Sequence, residues 1–490
     1  MSDGKDKIGV IVSDIPPSIN GALIKLSTSN IKPLEYVISY GHLENKNVGV
    51  ILRITNITHH SAFAKASSLE IEEKMGVKLY PSIEGNELIG EYLAAYGEVV
   101  DAFVHENGQI KPIGPVIPPT AKSPVFRANK DIVRVLVGRV RHPVHIGSLY
   151  GSNNVQVCLE ANSLTRHMII LGGTGSGKSW FRGVLLEELH RLGVPQINFD
   201  ILDEYSKTVE QLGGKNLILG KDYCPRLDTL SPDEFDIMIQ DYIPTPFQRA
   251  IARQGFIKFK RNSQRALSPL KPNRILDFVD EAAKDYNARE DTKMNTLARL
   301  EAFLTDFNIF GTGIDWRALI TKFKLINIRF PYIADPVMRV GVATTLKELM
   351  NLRRNKIIPP LVVSFDEAHT IIPRTKVSPA RTVIKHLLRY GRHLGIGVIM
   401  ITQRPSSIDE EAVAMPATRV IFATDPRELR ELKSLLTDLG DYAFNLIPRL
   451  ETGTAVITAT MDILRHSLYV KIRSDRKTTH GGKSIMLIES

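Results

Sequence analysis

Short apolar runs cut by polar turns open the chain, and longer apolar runs alternating with helical periodicity follow. Ile8-Gly9-Val10-Ile11-Val12, Tyr36-Val37-Ile38-Ser39-Tyr40 and Val48 to Ile54 are β-branched runs separated by Pro-Pro, Asn-Gly and Asn-rich stretches, the pattern of a small barrel or sandwich. Periodicity predicts a helical piece from Ser61 to Met75, with strand character resuming at Leu93 to Val104 and at Ile132 to Gly138. Pro112, Pro115, Pro118, Pro119 and Pro124 make 110–124 a connector, since proline neither continues a helix nor donates to a central sheet ladder. A β domain is therefore expected over 1–150. No catalytic constellation appears in it, which suits a docking or assembly module.

Beyond residue 150 the pattern changes to strands alternating with helices, as in a parallel α/β sheet. Strands are expected at His167 to Leu171, Gln196 to Leu202, Lys324 to Phe330, Leu361 to Phe365, Gly397 to Thr402 and Arg419 to Asp425. Helices are expected at Trp180 to Leu192, Val342 to Asn355 and Ser378 to Leu394, with another near Pro426 to Thr437. Between the sheet's two halves, Ser231-Pro232-Asp233-Glu234 starts a mainly helical stretch with runs at Pro246 to Lys260, Arg274 to Tyr286 and Thr292 to Asn308. This gives a first core segment at 151–230, a helical insertion at 231–322, a second core segment at 323–460, and a C-terminal strand with a basic tail at 461–490. The tail residues Arg473, Arg476, Lys477, Gly481, Gly482 and Lys483 lack apolar periodicity. The tail is expected to reach a neighbouring subunit or to stay disordered.

Composition narrows the partners. The 490 residues carry 63 Lys and Arg against 53 Asp and Glu, a net charge of +10, and a pI near 9.3 favours a polyanion such as nucleic acid without establishing one. Cys158 and Cys224 have no metal-ligand spacing and argue for a reducing compartment. No apolar run approaches the roughly 18 residues of a membrane span, and the start lacks a signal-peptide core. A soluble, cytoplasmic protein with no membrane segment is expected.

The candidate chemistry sits at two strand ends. His167 to Leu171 runs into Gly172-Gly173-Thr174-Gly175-Ser176-Gly177-Lys178-Ser179, the full phosphate-binding pattern G-x-x-x-x-G-K-[ST], with Trp180 next in the helix. The glycines let backbone N–H groups close around phosphate oxygens. Lys178 would reach the β- and γ-phosphates and Ser179 would ligate Mg²⁺, so ATP and Mg²⁺ are the expected cofactors. Further on, Leu361-Val362-Val363-Ser364-Phe365 ends in Asp366-Glu367, where Asp366 helps hold Mg²⁺ and Glu367 orients and deprotonates the attacking water. Asp200, Asp203 or Glu204, at the end of another strand, could hold a Mg²⁺-bound water or simply cap a helix.

Two groups of basic residues have open roles. Arg249, Arg253, Lys258, Lys260, Arg261 and Arg265 in the insertion could track a phosphate backbone or form a solvated face. In the helix ending at Leu394, Arg381, Lys385, Arg389 and Arg392 fall within about 80° of one another on the helical wheel, opposite Val383, Ile384, Leu387 and Leu388. That stripe precedes a strand ending in Gln403, which can sense the γ-phosphate. One of its arginines could serve a neighbour's site, with Arg392 first and Arg381 or Arg389 as alternatives. Closing such head-to-tail contacts gives a ring. Arg374 and Lys376, in the loop before the stripe, are expected near duplex DNA.

Gly172 to Ser179, Asp200 with Glu204-Tyr205-Ser206, Asp366-Glu367-Ala368-His369, and Arg389-Tyr390-Gly391-Arg392-His393-Leu394-Gly395-Ile396-Gly397 leading to Thr402-Gln403-Arg404-Pro405 together resemble HerA. That family comprises archaeal hexameric DNA-translocating ATPases of the FtsK–HerA superfamily. One departure is that Ile201-Leu202-Asp203 precede Glu204-Tyr205 where the family often has Pro-His-Gly-Glu-Tyr. The resemblance implies a RecA-like P-loop NTPase core with a helical insertion and a small N-terminal β-barrel. It further implies a homo-oligomeric ring, a hexamer, acting on double-stranded DNA. A NurA-type nuclease docked on the barrel would be its partner in resecting DNA ends during double-strand break repair. The alternatives are a conjugative or secretion-type motor of the same superfamily, and a nucleotide switch or P-loop kinase, which would leave Glu367 and the stripe without a role.

Overall fold

The computed structural model describes residues 6–43, 46–61, 91–106, 108–138, 140–152, 155–375, 378–436, 439, 441–460 and 462–479. They divide into two compact units, one within 1–159 plus 433–473 and the other within 160–432 plus the segment from 474.

The first unit starts with β1 (Lys7–Val12), β2 (Gly21–Leu26), β3 (Tyr36–Leu43), β4 (Lys46–Ser61), β5 (Glu91–Glu106), β6 (Gln109–Pro112) and β7 (Pro124–Arg127). Their order is β2-β1-β7-β3-β4-β5, and β2 pairs back onto β5, so six strands close a barrel while β6 hangs on β5. Closure removes the free edges that short strands would otherwise expose. Ile11, Ile24, Val37, Leu52 and Ile54 fill the interior. The helix expected from Ser61 to Met75 falls almost wholly outside the described residues.

The run 132–138 is a helix, Lys130–Val137, rather than the expected strand. Asn129 caps it by accepting from the Ile132 amide, and Ile132, Val133, Leu136 and Val137 share the buried face. Apolar pairs spaced four apart follow the helical period, and the cap decides the matter.

After β8 (Pro143–Leu149) and β9 (Gln156–Glu160), the second unit supplies a run of parallel strands. It contains β10 (Met168–Leu171), β11 (Gln196–Asp200), β12 (Lys215–Ile218), β13 (Leu325–Arg329), β14 (Leu361–Phe365), β15 (Ile396–Thr402) and β16 (Thr418–Phe422), in the order β12-β13-β11-β14-β15-β10-β16. Every residue of β10, β11, β14 and β15 is buried, as expected for parallel strands covered on both faces. The strands' carboxyl ends therefore share one edge, where such sheets bind ligands.

The insertion contains helices Pro232–Ile239, Pro246–Arg265, Ile275–Asp285 and Glu290–Asp306, and Trp316–Phe323 follows, a helix the sequence pattern had not marked. Ser231 and Glu234 form a reciprocal capping box at its start. Phe235 stacks on Phe256 at 4.3 Å and meets Phe303 edge-on at 6.1 Å. Most of its basic cluster is held internally. Arg249 faces Asp236 at 3.5 Å, Arg253 faces Asp233 at 2.5 Å, Lys258 faces Asp285 at 2.5 Å, and Lys260 donates to the Leu230 carbonyl. Arg261 and Arg265 are exposed.

The last strands are β17 (Thr454–Ala459) and β18 (Leu468–Ile472). β18 pairs antiparallel with β17 on one side and with β8 on the other. The buried Arg53 of β4 donates to the Ser467 carbonyl at 2.9 Å and to Glu98 at 2.7 Å, and Arg465 reaches Asp101 at 2.9 Å. These ties draw 433–473 into the first unit, whereas the pattern alone assigned it to the core and tail.

The described part of the tail neither wanders nor reaches away. Glu187, on the helix that follows Gly177, accepts from the amides of Lys477 (3.1 Å) and Thr478 (3.0 Å) and from the Thr478 hydroxyl (2.6 Å). Arg476, 1 % exposed, lies 3.3 Å from Glu187 and 4.9 Å from the centre of the Trp180 ring. A Cβ at Gly183 would sit 2.1 Å from the Arg476 guanidinium carbon, so glycine there makes the room. Buried charge compensation and a cation–π contact fix a segment that has no apolar pattern of its own. Gly481, Gly482 and Lys483 lie outside the described residues.

Candidate active site

Strand β10 lies between β15 and β16, with Leu171 level with Thr402 and Ile421, so the glycine-rich loop leaves the sheet beside Gln403 and Phe422. A Cβ on Gly172 would come within 2.7 Å of both the Phe422 Cβ and the Ser176 Oγ. Gly175 and Gly177 adopt φ of +74° and +116°, which favour glycine. The loop braces itself through Ser176 Oγ to the Gly173 carbonyl (2.7 Å) and Gly173 N–H to the Ala423 carbonyl (2.7 Å). Helix Lys178–Arg191 then starts with no side-chain cap among the described residues, leaving its first amides for an anion. Lys178 is 9 % exposed and donates to the Gly173 carbonyl at 2.8 Å. Burial lowers its pKa, and the charges of Glu367, Asp366 and Glu204 oppose that shift.

The second strand end supplies those carboxylates. Asp366 extends β14 by donating its amide to the Phe199 carbonyl at 3.1 Å, and its Oδ1 accepts from the Glu367 amide at 3.0 Å. Its Oδ2 is buried with no hydrogen-bond partner among the described residues. Burial first, then the neighbouring charges of Glu204, Glu367 and Asp200, push the Asp366 pKa well above the carboxylate range. A divalent cation on that orphaned oxygen would relieve both penalties, so Asp366 fits a Mg²⁺ site.

Glu367 has a left-handed backbone, φ +45° and ψ +49°, which costs a non-glycine residue about 1–2 kcal/mol. The turn aims its side chain back across the sheet edge. Its Oε1 accepts from Gln403 Nε2 at 3.4 Å, and Gln403 Oε1 accepts from the Thr174 hydroxyl of the phosphate loop at 2.7 Å. A carboxylate, an amide and a loop hydroxyl thus converge beside the glycine-rich loop.

The other proposed residues fall into different places. Asp200 is fully buried, and its oxygens accept from the amides of Glu204 and Tyr205 and from Asn327, each at 3.0 Å. Its carboxylate is thereby committed to shaping the turn. Asp203 is taken by Arg329 and Ser206. Glu204 presents a buried Oε2 with no hydrogen-bond partner among the described residues, and its charge acts on both Lys178 and Asp366. Trp180 packs under Arg476.

Helix Pro379–Leu394 carries the stripe, but most of it is paired within the chain. Arg381 reaches Asp409 at 2.5 Å, Lys385 reaches Glu411 at 2.6 Å, and Arg389 reaches Glu411 at 2.5 Å. Arg392 is exposed and has no ion pair among the described residues. Arg374 pairs with Glu410 and Glu431, and Lys376 lies outside the described residues.

Two buried groups that support the site were not singled out from the sequence. Arg182, fully buried one turn after Lys178, donates to Ser364 Oγ at 2.7 Å, and the chain continues through Asn198 and Asn327 to Asp200. Burial lowers its pKa to about 10, against the pull of Tyr205, Asp366 and Asp200. His167, at the foot of β10, accepts from the Val398 amide at 3.1 Å through Nδ1, so Nε2–H donates to the Leu388 carbonyl at 3.0 Å. It thereby locks the phosphate-loop strand to β15 and to the arginine helix. Four-residue spacing from Lys178 was the available signal for Arg182, and no signal existed for His167.

Residues 144–350 match the family model described as the central domain of the helicase HerA. A DNA double-strand break repair helicase HerA from Sulfurisphaera tokodaii is 28 % identical over 386 residues, covering 73 % of this chain and 74 % of that one. Its namesake from Saccharolobus solfataricus is 24 % identical over 440 residues, covering 86 % and 84 %. Among solved structures, VirB4 of Thermoanaerobacter pseudethanolicus superposes with a TM-score of 0.52 at 16 % identity, over 67 % of this chain and 96 % of that one. That likeness shows the P-loop NTPase fold alone.

Proposed function

We propose that this chain, a HerA-family protein by the likenesses of its sequence, is an ATP-hydrolysing ring motor that moves along double-stranded DNA. The observation that carries the reading is the join of Thr174, Gln403 and Glu367, which supports taking Glu367 as general base and Gln403 as phosphate reader. A nucleotide switch has no need of an adjacent base.

In this reading the phosphate-loop amides and Lys178 hold the β- and γ-phosphates, and Gln403 reads the γ-phosphate. Mg²⁺, held by Ser179 and Asp366, would neutralise phosphate charge. Glu367 takes the proton of a water whose oxygen bonds to the γ-phosphorus as the bond to the β–γ bridging oxygen breaks, releasing ADP and phosphate. Charge gathering on the γ-oxygens calls for a rigid cation, and Arg392 of a neighbouring subunit supplies it, with Arg381 or Arg389 less suited because their own chain's carboxylates occupy them. A ring, taken as a hexamer, follows from closing that contact.

The same proposal gives the barrel to a NurA-type nuclease, so that the pair resects DNA ends in a cytoplasmic setting. The names of the archaeal relatives, DNA double-strand break repair helicases, support the repair setting. A conjugative or secretion-type motor is the second reading, favoured by the VirB4 fold likeness. No described helix is long and apolar enough to cross a membrane, which gives that reading no anchor among the described residues. ATPase assays with and without linear duplex DNA test the proposal. Stimulation by duplex is expected, and turnover indifferent to DNA would reject the DNA motor.

A further inference from the structure

We infer that His369 is a positioning residue for the general base, tying Glu367 to the end of β15 that also carries Gln403. The inference rests on the ATPase reading above and deepens it. His369 sits on the single turn Ala368–Ile371 directly after Glu367, with its side chain 18 % exposed. Its Nδ1 lies 3.1 Å from Glu367 Oε2 and 3.2 Å from Thr402 Oγ1. Gln403 Nε2 meets the other oxygen of the same carboxylate at 3.4 Å. Thr402 and Gln403 are consecutive, so Gln403, Glu367, His369 and Thr402 form a closed circuit of contacts.

Each side of the circuit has a separate physical task. Thr402 is fully buried and its Oγ1 also accepts from the Arg404 amide at 3.0 Å, which fixes the hydroxyl against which the imidazole rests. Glu367 Oε2 lies within reach of Nδ1 but out of line for a hydrogen bond in this conformation, so the ring nitrogen is bonded to Thr402 and poised beside the base. A glutamate held at one oxygen still turns about its last torsion, and an imidazole packed 3.1 Å from the other oxygen narrows that turn. General-base chemistry needs the carboxylate plane within about 0.5 Å and 10–20° of its working position. Because the imidazole rests on Thr402, a shift of the β15 end moves the phosphate reader and the base's second support together.

Substitutions that keep or lose the Nδ1 position test this. Asparagine places a polar atom where Nδ1 stands, glutamine places one nearer Nε2, and alanine places none. With duplex DNA present, His369→Ala is expected to lower kcat by about 10–100-fold with KM within about twofold of the parent. His369→Asn is expected to recover most of that loss, and His369→Gln is expected to stay near the alanine value. Affinity for a fluorescent ATP analogue, measured on each variant, is expected to be unchanged. Parental kcat in His369→Ala, glutamine rescuing as well as asparagine, or kcat and analogue affinity falling together would each overturn the inference while the parent still hydrolyses ATP. A parent that hydrolyses no ATP would instead remove the ATPase reading, and with it the base that His369 positions.

Discussion

Gln403 Nε2 stands 3.4 Å from Glu367 Oε1, so the ends of two adjacent parallel strands meet over the phosphate loop. The left-handed backbone at Glu367 is what lets its side chain reach that point. Thr174 holds the far side of the Gln403 amide at 2.7 Å.

Glu367→Gln is expected to keep ATP bound while turnover falls by about 10²–10⁴-fold, the usual contribution of general-base catalysis. Lys178→Ala is expected instead to lose nucleotide affinity, because it removes the cation proposed to hold the phosphates. Equilibrium binding and single-turnover hydrolysis separate the two. Parental turnover in Glu367→Gln would remove the base assignment.

Mixing two dead variants tests the arginine. Arg381, Lys385 and Arg389 are tied to Asp409 or Glu411 in their own chain, whereas Arg392 is exposed with no ion pair among the described residues. Under subunit exchange, Glu367→Gln mixed with Arg392→Ala is expected to regain part of the activity, since some interfaces then join an intact Glu367 to an intact Arg392. Confirmed exchange without recovery rejects Arg392 as the trans-acting cation.

His167 makes folding sensitive to acid. Burial depresses its pKa to about 4, against the help of its bond to the Leu388 carbonyl. The unfolded chain takes a proton near pH 6.5 and the folded chain does not, so stability is present above that pH and is lost as pH falls towards 4, by about 3 kcal/mol in all. His167→Asn tolerates the positive φ of +69° at this position and offers an acceptor to the Val398 amide without titrating. The melting temperature of the parent is expected to drop relative to this variant as pH is lowered from 7 to 4.5. Parallel curves would contradict the prediction.

The C-terminal segment is expected to act as a strap on the phosphate-loop helix. Arg476→Ala leaves Glu187 buried without its cation, at about 3–5 kcal/mol. The chain has two tryptophans, Trp180 and Trp316, so a Trp316→Phe background makes Trp180 the sole indole reporter. Adding Arg476→Ala is expected to shift its emission to the red and lower the melting temperature. An unchanged spectrum would mean that Arg476 does not cover the ring.

By itself the sequence determined whatever contiguous residues decide. Gly172 to Ser179 is legible because an anion nest needs glycines at fixed intervals ahead of a lysine and a hydroxyl, and an apolar strand ending in Asp366-Glu367 is legible for the same local reason. Ser231 with Glu234 announced a helix correctly, whereas 132–138 misled because its branched residues suit a strand until the Asn129 cap is weighed. Only the tertiary structure decided which partner each charge would find. Arg381 and Arg392 lie on one stripe of one helix, yet Asp409 takes the first and leaves the second exposed. Arg182 and Ser364 are 182 positions apart, and His167 and Val398 are 231 apart. A charged or polar group reads the same along the chain whether it is solvated or buried. Its role is fixed by the distant segment that excludes water from it, because an unpaired buried polar group is too costly to persist.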